Sequence, residues 1–126
     1  MIGYVTLGTN DLARAAAFYD DLFALIGARR FMEESSFIAW AVSPEAPAIS
    51  VTKPYDGNAA TVGNGVMVAL AAANTDQVKA LHAKAMELGG QDEGAPGPRG
   101  DSGFYAGYFR DLDGNKLSAF CMTKPA

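Results

Sequence analysis

Residues 2–8, IGYVTLG, alternate weakly between apolar and polar positions and are rich in β-formers, which predicts a strand. The period then changes. In LARAAAFYDDLFALIG, Leu12, Ala15, Phe18, Tyr19, Leu22 and Ile26 recur every three or four residues, the spacing of one apolar helix face. Asn10 or Asp11 is placed to cap its first free N–H groups, and Gly27 to end it. Three short strand-like runs follow at 28–33, 36–42 and 48–54, the last two joined by the turn SPEAP. Residues 55–65, YDGNAATVGNG, are polar and glycine-rich and read as a linker.

From Val66 the pattern starts again. VMVALAA (66–72) predicts a strand, NTD (74–76) a helix cap, and QVKALHAKAMEL a second helix stopped by Gly89-Gly90. Residues 93–103, EGAPGPRGDSG, read as a Gly/Pro loop. FYAGYFR (104–110) and KLSAFCM (116–122) then predict two strands joined by the acidic turn DLDGN. SFIAWAVSPEAPAISV aligns with GFYAGYFRDLDGNKLSAF: Phe37 falls on Phe104, Ala39 on Ala106, and Ser50 on Ser118 with one residue inserted in the turn. YVTLGTND aligns with MVALAAANTD, Tyr4 on Met67. Each half thus reads strand–helix–strand–strand–strand, a unit that leaves one sheet face bare until a second unit covers it.

Composition narrows the function classes. The chain has 126 residues, enough for one domain with a real core. Hydrophobic residues at 49% against 19% charged fit a soluble globular protein. The net charge of −4 comes without a basic stripe, which argues against a nucleic-acid partner. No apolar run reaches membrane-spanning length and no signal-peptide pattern opens the chain, so no membrane partner and a cytoplasmic location are expected. Cys121 is the single cysteine, excludes an internal disulfide, and reads as a small buried hydrophobe. His82 is the single histidine, so a zinc site built from several His and Cys ligands is excluded. It reads as a helix residue at the edge of the helix–sheet contact, held by one hydrogen bond. Trp40 and Tyr55 are candidate cavity or interface aromatics, which the sequence does not separate.

GYVTLGTNDLARAAAFYDDLF at the front and YFRDLDGNKLSAF at the end resemble the vicinal oxygen chelate superfamily of glyoxalases, bleomycin-resistance proteins, extradiol dioxygenases and fosfomycin-resistance enzymes. DLDGN is similar to that family's D-P-D-G-N turn with Leu112 in place of proline, and ELGG and GAPGPR are similar to bacterial glyoxalase-like members. The resemblance covers essentially the whole chain. It implies an α+β fold: two tandem βαβββ modules, about 1–54 and 66–126, forming a cup-shaped mixed sheet with helices on the outer face. It also implies homodimers and a divalent metal in the cup. The family's ligand slots fall here on Tyr4, Ser50, Met67 and Ser118, none of them a carboxylate or an imidazole, and their neighbours offer no ligand either. Hydroxyls and a thioether are poor replacements for such ligands, so no metal and no other cofactor is expected.

Alternation places Lys116 and Phe120 on the same face as Ser118. On the facing strand either Tyr105/Gly107/Phe109 or Ala106/Tyr108/Arg110 shares it, and the family's turn length favours the second, with Tyr108 opposite Ser118. Tyr4, Thr6, Ser50, Met67, Tyr108 and Ser118 are then the candidate lining of one polar-aromatic cavity suited to a small organic ligand. The opposite reading is a filled core in which they bond one another. Arg99 in the Gly/Pro loop is a candidate lid residue for an anionic group, or a solvated arginine on an ordinary loop. Asp111-x-Asp113-Gly114-Asn115 lacks the distant glutamate of a calcium loop and reads as a side-chain-stabilised turn. The expected function is metal-free binding of a small organic ligand by a glyoxalase/bleomycin-resistance-type protein. The alternatives are an active glyoxalase-like lyase of the lactoylglutathione lyase type or another small-molecule enzyme of the superfamily, using residual side chains such as Tyr108 or Arg99 or a metal bound in some other way, and a structural or partner-binding module.

Overall fold

The computed structural model describes residues 1–124. In chain order the elements are β1 (Tyr4–Gly8), α1 (Leu12–Ala24), β2 (Arg29–Glu33), β3 (Phe37–Ala41), β4 (Ala48–Thr52), β5 (Val68–Ala71), α2 (Thr75–Glu87), β6 (Gln91–Pro98), β7 (Phe104–Arg110) and β8 (Lys116–Met122). The architecture is α+β and twofold repeated. One sheet has strand order β1-β4-β3-β2 and the other β5-β8-β7-β6, each with its first and last strands parallel and the rest antiparallel.

Both helices start where a short polar side chain replaces a missing backbone acceptor. Asp11 accepts from the Arg14 N–H at 3.1 Å, and Asn74 from the Gln77 N–H at 2.9 Å. The first helix ends over Gly27, whose φ of 74° lets the Ala28 N–H turn back to the Phe23 carbonyl. The buried stripe Ala15, Phe18, Tyr19, Leu22 and Phe23 packs on Leu7, Ile38, Trp40 and Val51 of the first sheet. Val78, Leu81 and Ala85 pack on Leu70, Phe109, Leu117 and Ala119 of the second. Cys121 belongs to this core as a buried free thiol.

Residues 91–98, of which 93–98 were expected to open the Gly/Pro loop, instead form edge strand β6. Its ladder is broken by irregularities between Asp92 and Gly94 and between Gly94 and Gly97. Glycine and proline carry no strand propensity, but an edge strand tolerates both where it bulges, which is why composition hid it. The internal repeat also needs a shift. Ser50 pairs with Ala39, whereas Ser118 pairs with Tyr108, so keeping the serines equivalent sets Ala39 on Tyr108, two residues from the alignment on Ala106. A two-residue offset keeps every side chain on the same face.

Within one chain the two sheets stay separate. Among the described residues, α1 and α2 are the only regular elements that touch across the halves. The remaining junction is polar. Tyr19 Oη donates to Asp111 Oδ2 at 2.6 Å, the Asn10 N–H to Asp113 at 3.0 Å, and Asn115 Nδ2 to the Gly8 carbonyl at 2.9 Å. The acidic turn is thus the clasp between modules. Asp111 is buried and also accepts from Asp113 and Asn115, confirming a turn held by its own side chains.

Candidate functional site

The face of each sheet turned away from its helix carries the expected site residues. In the first sheet Val5 and Leu7 point toward α1, so Tyr4 and Thr6 point away, and the ladder puts Tyr4 beside Ala48 and Thr6 beside Ser50. Thr6 Oγ1 and Ser50 Oγ lie 2.9 Å apart in a hydrogen bond. Ser50 is buried, whereas Tyr4 is 72% exposed at the sheet edge.

In the second sheet Leu117 and Ala119 enter the core, so Ser118 faces away from α2 with Lys116 and Phe120. Tyr108 pairs directly with Ser118, as the turn length predicts. Ser118 is 1% exposed. Above it the Tyr108 ring lies between two cations, Arg99 at 5.4 Å and Lys116 at 5.6 Å from its centroid. Arg99 is no free lid residue here. Its guanidinium donates to the carbonyls of Ala95, Gly97 and Pro98, which fixes it against the sheet. Gly94 makes room for this stack, because a Cβ there would lie 3.1 Å from Tyr108 Cδ2 and 3.4 Å from Arg99 Nη2.

Thr6 and Ser50 therefore form one group with Tyr4, and Arg99, Tyr108, Lys116 and Ser118 another, on separate sheets. Strands β1 and β5, the edges that a continuous cup would join, do not touch within the chain. Met67 precedes β5 and lines neither group. It borders an apolar cleft of about 630 Å³ with Ile2, Val5, Phe23, Val66 and Leu70. The sequence placed Lys116 on the face by alternation, but not its position on the Tyr108 ring. The Arg99 side of that ring depends on β6, which composition concealed.

The other titratable groups serve structure. His82 Nε2 meets Asp92 Oδ1 at 3.0 Å on the helix side of the second sheet, as its pattern predicts. The Gly94 N–H first, and His82 second, hold the Asp92 carboxyl below its usual pKa. Burial first, then Asp111, raises the Tyr19 phenol well above its usual value. Trp40 is a core residue whose indole N–H donates to Asp20 at 2.9 Å, and Tyr55 is fully exposed in the linker, so neither lines the candidate site. Arg30 chelates Asp20 and also pairs with Glu33; its hydrogen bond, ahead of the Trp40 one, lowers the Asp20 pKa. Among the described residues, no three His, Cys, Asp or Glu side chains come together in a metal-binding group. No described helix is long and apolar enough to cross a membrane.

Comparison with known proteins adds to this geometry. A family model described as the Glyoxalase/Bleomycin resistance protein/Dioxygenase superfamily matches residues 1–118. A glyoxalase/bleomycin resistance protein from Albidiferax ferrireducens T118 is 36% identical, with 99% of each chain covered and a TM-score of 0.88. At the level of fold alone, the chain is similar to lactoylglutathione lyase from Agrobacterium tumefaciens, at 20% identity, 96% and 92% coverage and a TM-score of 0.70. It is likewise similar to the fosfomycin resistance protein FosX from Listeria monocytogenes, at 18% identity, 98% and 93% coverage and a TM-score of 0.74. A search of curated protein sequences gave no match.

Proposed function

This chain belongs to the glyoxalase/bleomycin resistance protein/dioxygenase superfamily, and we propose that it binds a small organic ligand in the family cup without the family metal. The observation that carries this reading is the pair Ser50 and Ser118. Both sit on the open sheet faces at the slots where the resemblance places metal-binding carboxylates. Ser50 is engaged with Thr6, and Ser118 stands opposite a tyrosine. Two neutral hydroxyls, with Tyr4 and Met67 at the remaining slots, do not supply the charge that a hard or borderline divalent cation requires. No catalytic step is therefore derived through a metal.

The cup is completed by a second copy. In one chain the two groups lie on sheets joined through helices and the acidic turn, with β1 and β5 apart. Pairing the first module of one protomer with the second of its partner brings Tyr4, Thr6 and Ser50 to face Arg99, Tyr108, Lys116 and Ser118. The exposed apolar residues Ile2, Tyr4, Val66 and Met67 at those edges favour such burial.

A thermal-shift screen with aromatic acids, glycopeptides and thiol conjugates tests ligand binding. A Ser118→Trp variant that still dimerises serves as the control with the cup filled. Ligands that stabilise the wild type and not Ser118→Trp support the reading. Hemithioacetal turnover by the metal-free protein, or full binding by the filled variant, overturns it.

A further inference from the structure

The second sheet carries more positive charge than its neighbours neutralise. The protein as a whole is acidic, with 14 Asp and Glu against 10 Lys and Arg. Yet Arg99, Arg110 and Lys116 share this one open face. Arg110 and Lys116 are directly opposite each other across the β7–β8 ladder, and like charges in that position destabilise a sheet. Arg110 is compensated: it donates to Glu93 and, through Nη1, to the Gly114 carbonyl at 2.8 Å. Lys116 has no carboxylate within ion-pair distance among the described residues.

Arg99 is bonded only to neutral carbonyls, through both Nη1 hydrogens and one Nη2 hydrogen. Its Nε–H and second Nη2–H are left over. These two cations flank one half-buried tyrosine ring, which holds them in place without neutralising them. Beneath the ring lies Ser118, buried. A sheet does not gain from placing repelling cations together on one face. The set makes sense when a ligand supplies the missing negative charge and acceptor oxygens.

We propose that Arg99 and Lys116 form, around the Tyr108 ring, a subsite for the oxyanion of the small molecule held in the cup. This rests on the ligand-binding reading above and adds the ligand's charge and the end of the cup that recognises it. The shared chemistry is a small oxyanion, carried by a carboxylate or by a phosphate-type group. Arg99 and Lys116 supply charge-assisted donors. The Tyr108 ring keeps both cations oriented before the ligand arrives, which limits the ordering cost of binding.

The test is an NMR titration of the protein at constant ionic strength, using benzoate, benzamide and inorganic phosphate as probes. Benzoate binding tighter than benzamide by about tenfold or more, with shifts centred on Arg99, Tyr108 and Ser118, is the expected result. Lys116→Met, with Arg99→Gln as a second variant, is expected to remove that preference by weakening benzoate binding far more than benzamide binding. Phosphate binding that depends on Lys116, with benzoate silent, also supports the subsite and assigns it to phosphate-type anions. Equal binding of benzoate and benzamide that Lys116→Met does not alter overturns the subsite while leaving the ligand-binding cup standing. Silence of all three probes at these residues overturns the subsite too, and the thermal-shift screen then decides separately whether the cup binds anything.

Discussion

Tyr19 and Asp111, 92 residues apart, meet in a 2.6 Å hydrogen bond inside the junction of the two modules. The bond ties the first helix to the turn that orients Lys116 and Ser118. Tyr19→Phe removes a donor from a buried carboxylate and is expected to cost about 1–3 kcal/mol, read as a lower urea midpoint. An unchanged midpoint would show that Asp111 is satisfied by Asp113 and Asn115 alone.

The same phenol sets an alkaline limit. Its pKa is raised above 10.0 in the folded state, chiefly by burial. The unfolded chain therefore gives up this proton first, and the stabilisation is complete below about pH 10 and lost as pH climbs toward the folded value. Ultraviolet titration is expected to show Tyr19 ionising only as the protein unfolds. Early ionisation of every tyrosine would contradict this.

Asp20 sets the acid limit for the first module. Its folded pKa lies below 3.8 because Arg30, then Trp40, donate to it. Its contribution is therefore present above that value and lost as pH falls through the folded pKa. Asp20→Asn keeps an acceptor for the Trp40 indole but loses the charge. The expected cost is about 1 kcal/mol or less, since the pair is partly exposed, with a weaker acid limb in Trp40 fluorescence. Identical acid transitions in variant and wild type would sink this assignment.

Gly90 tests the packing of α2 against β7. A Cβ there would lie 2.6 Å from the Arg110 carbonyl oxygen and 2.9 Å from that of Ala85, both backbone atoms. Gly90→Ala is expected to destabilise by about 1–3 kcal/mol. Gly57→Ala meets open space and only a φ of 77°, so it costs about 1–2 kcal/mol and leaves the core untouched. Chemical denaturation of the two variants measures both. A neutral Gly90→Ala would contradict the close approach.

Much of this was written in local pattern. Strand alternation, helix periodicity, the Asp11 and Asn74 caps and the DLDGN turn place nine of the ten elements and set Tyr108 opposite Ser118, because each depends on residues close in sequence. The β6 strand was hidden because its glycines and prolines suit a bulged edge and a loop alike. The Arg99 side of the cation stack on Tyr108 was hidden with it. Trp40 was ambiguous for a different reason: only the fold brings Asp20 to its indole N–H. The separation of the two sheets within a chain also lies beyond local pattern, since it is decided by contacts such as Tyr19–Asp111.

The most direct test of the account is elemental analysis of the protein purified without chelators. Serines at positions 50 and 118 predict no stoichiometric divalent metal and no thermal stabilisation on adding zinc, nickel, manganese or iron. One tightly held metal per cup would contradict the account.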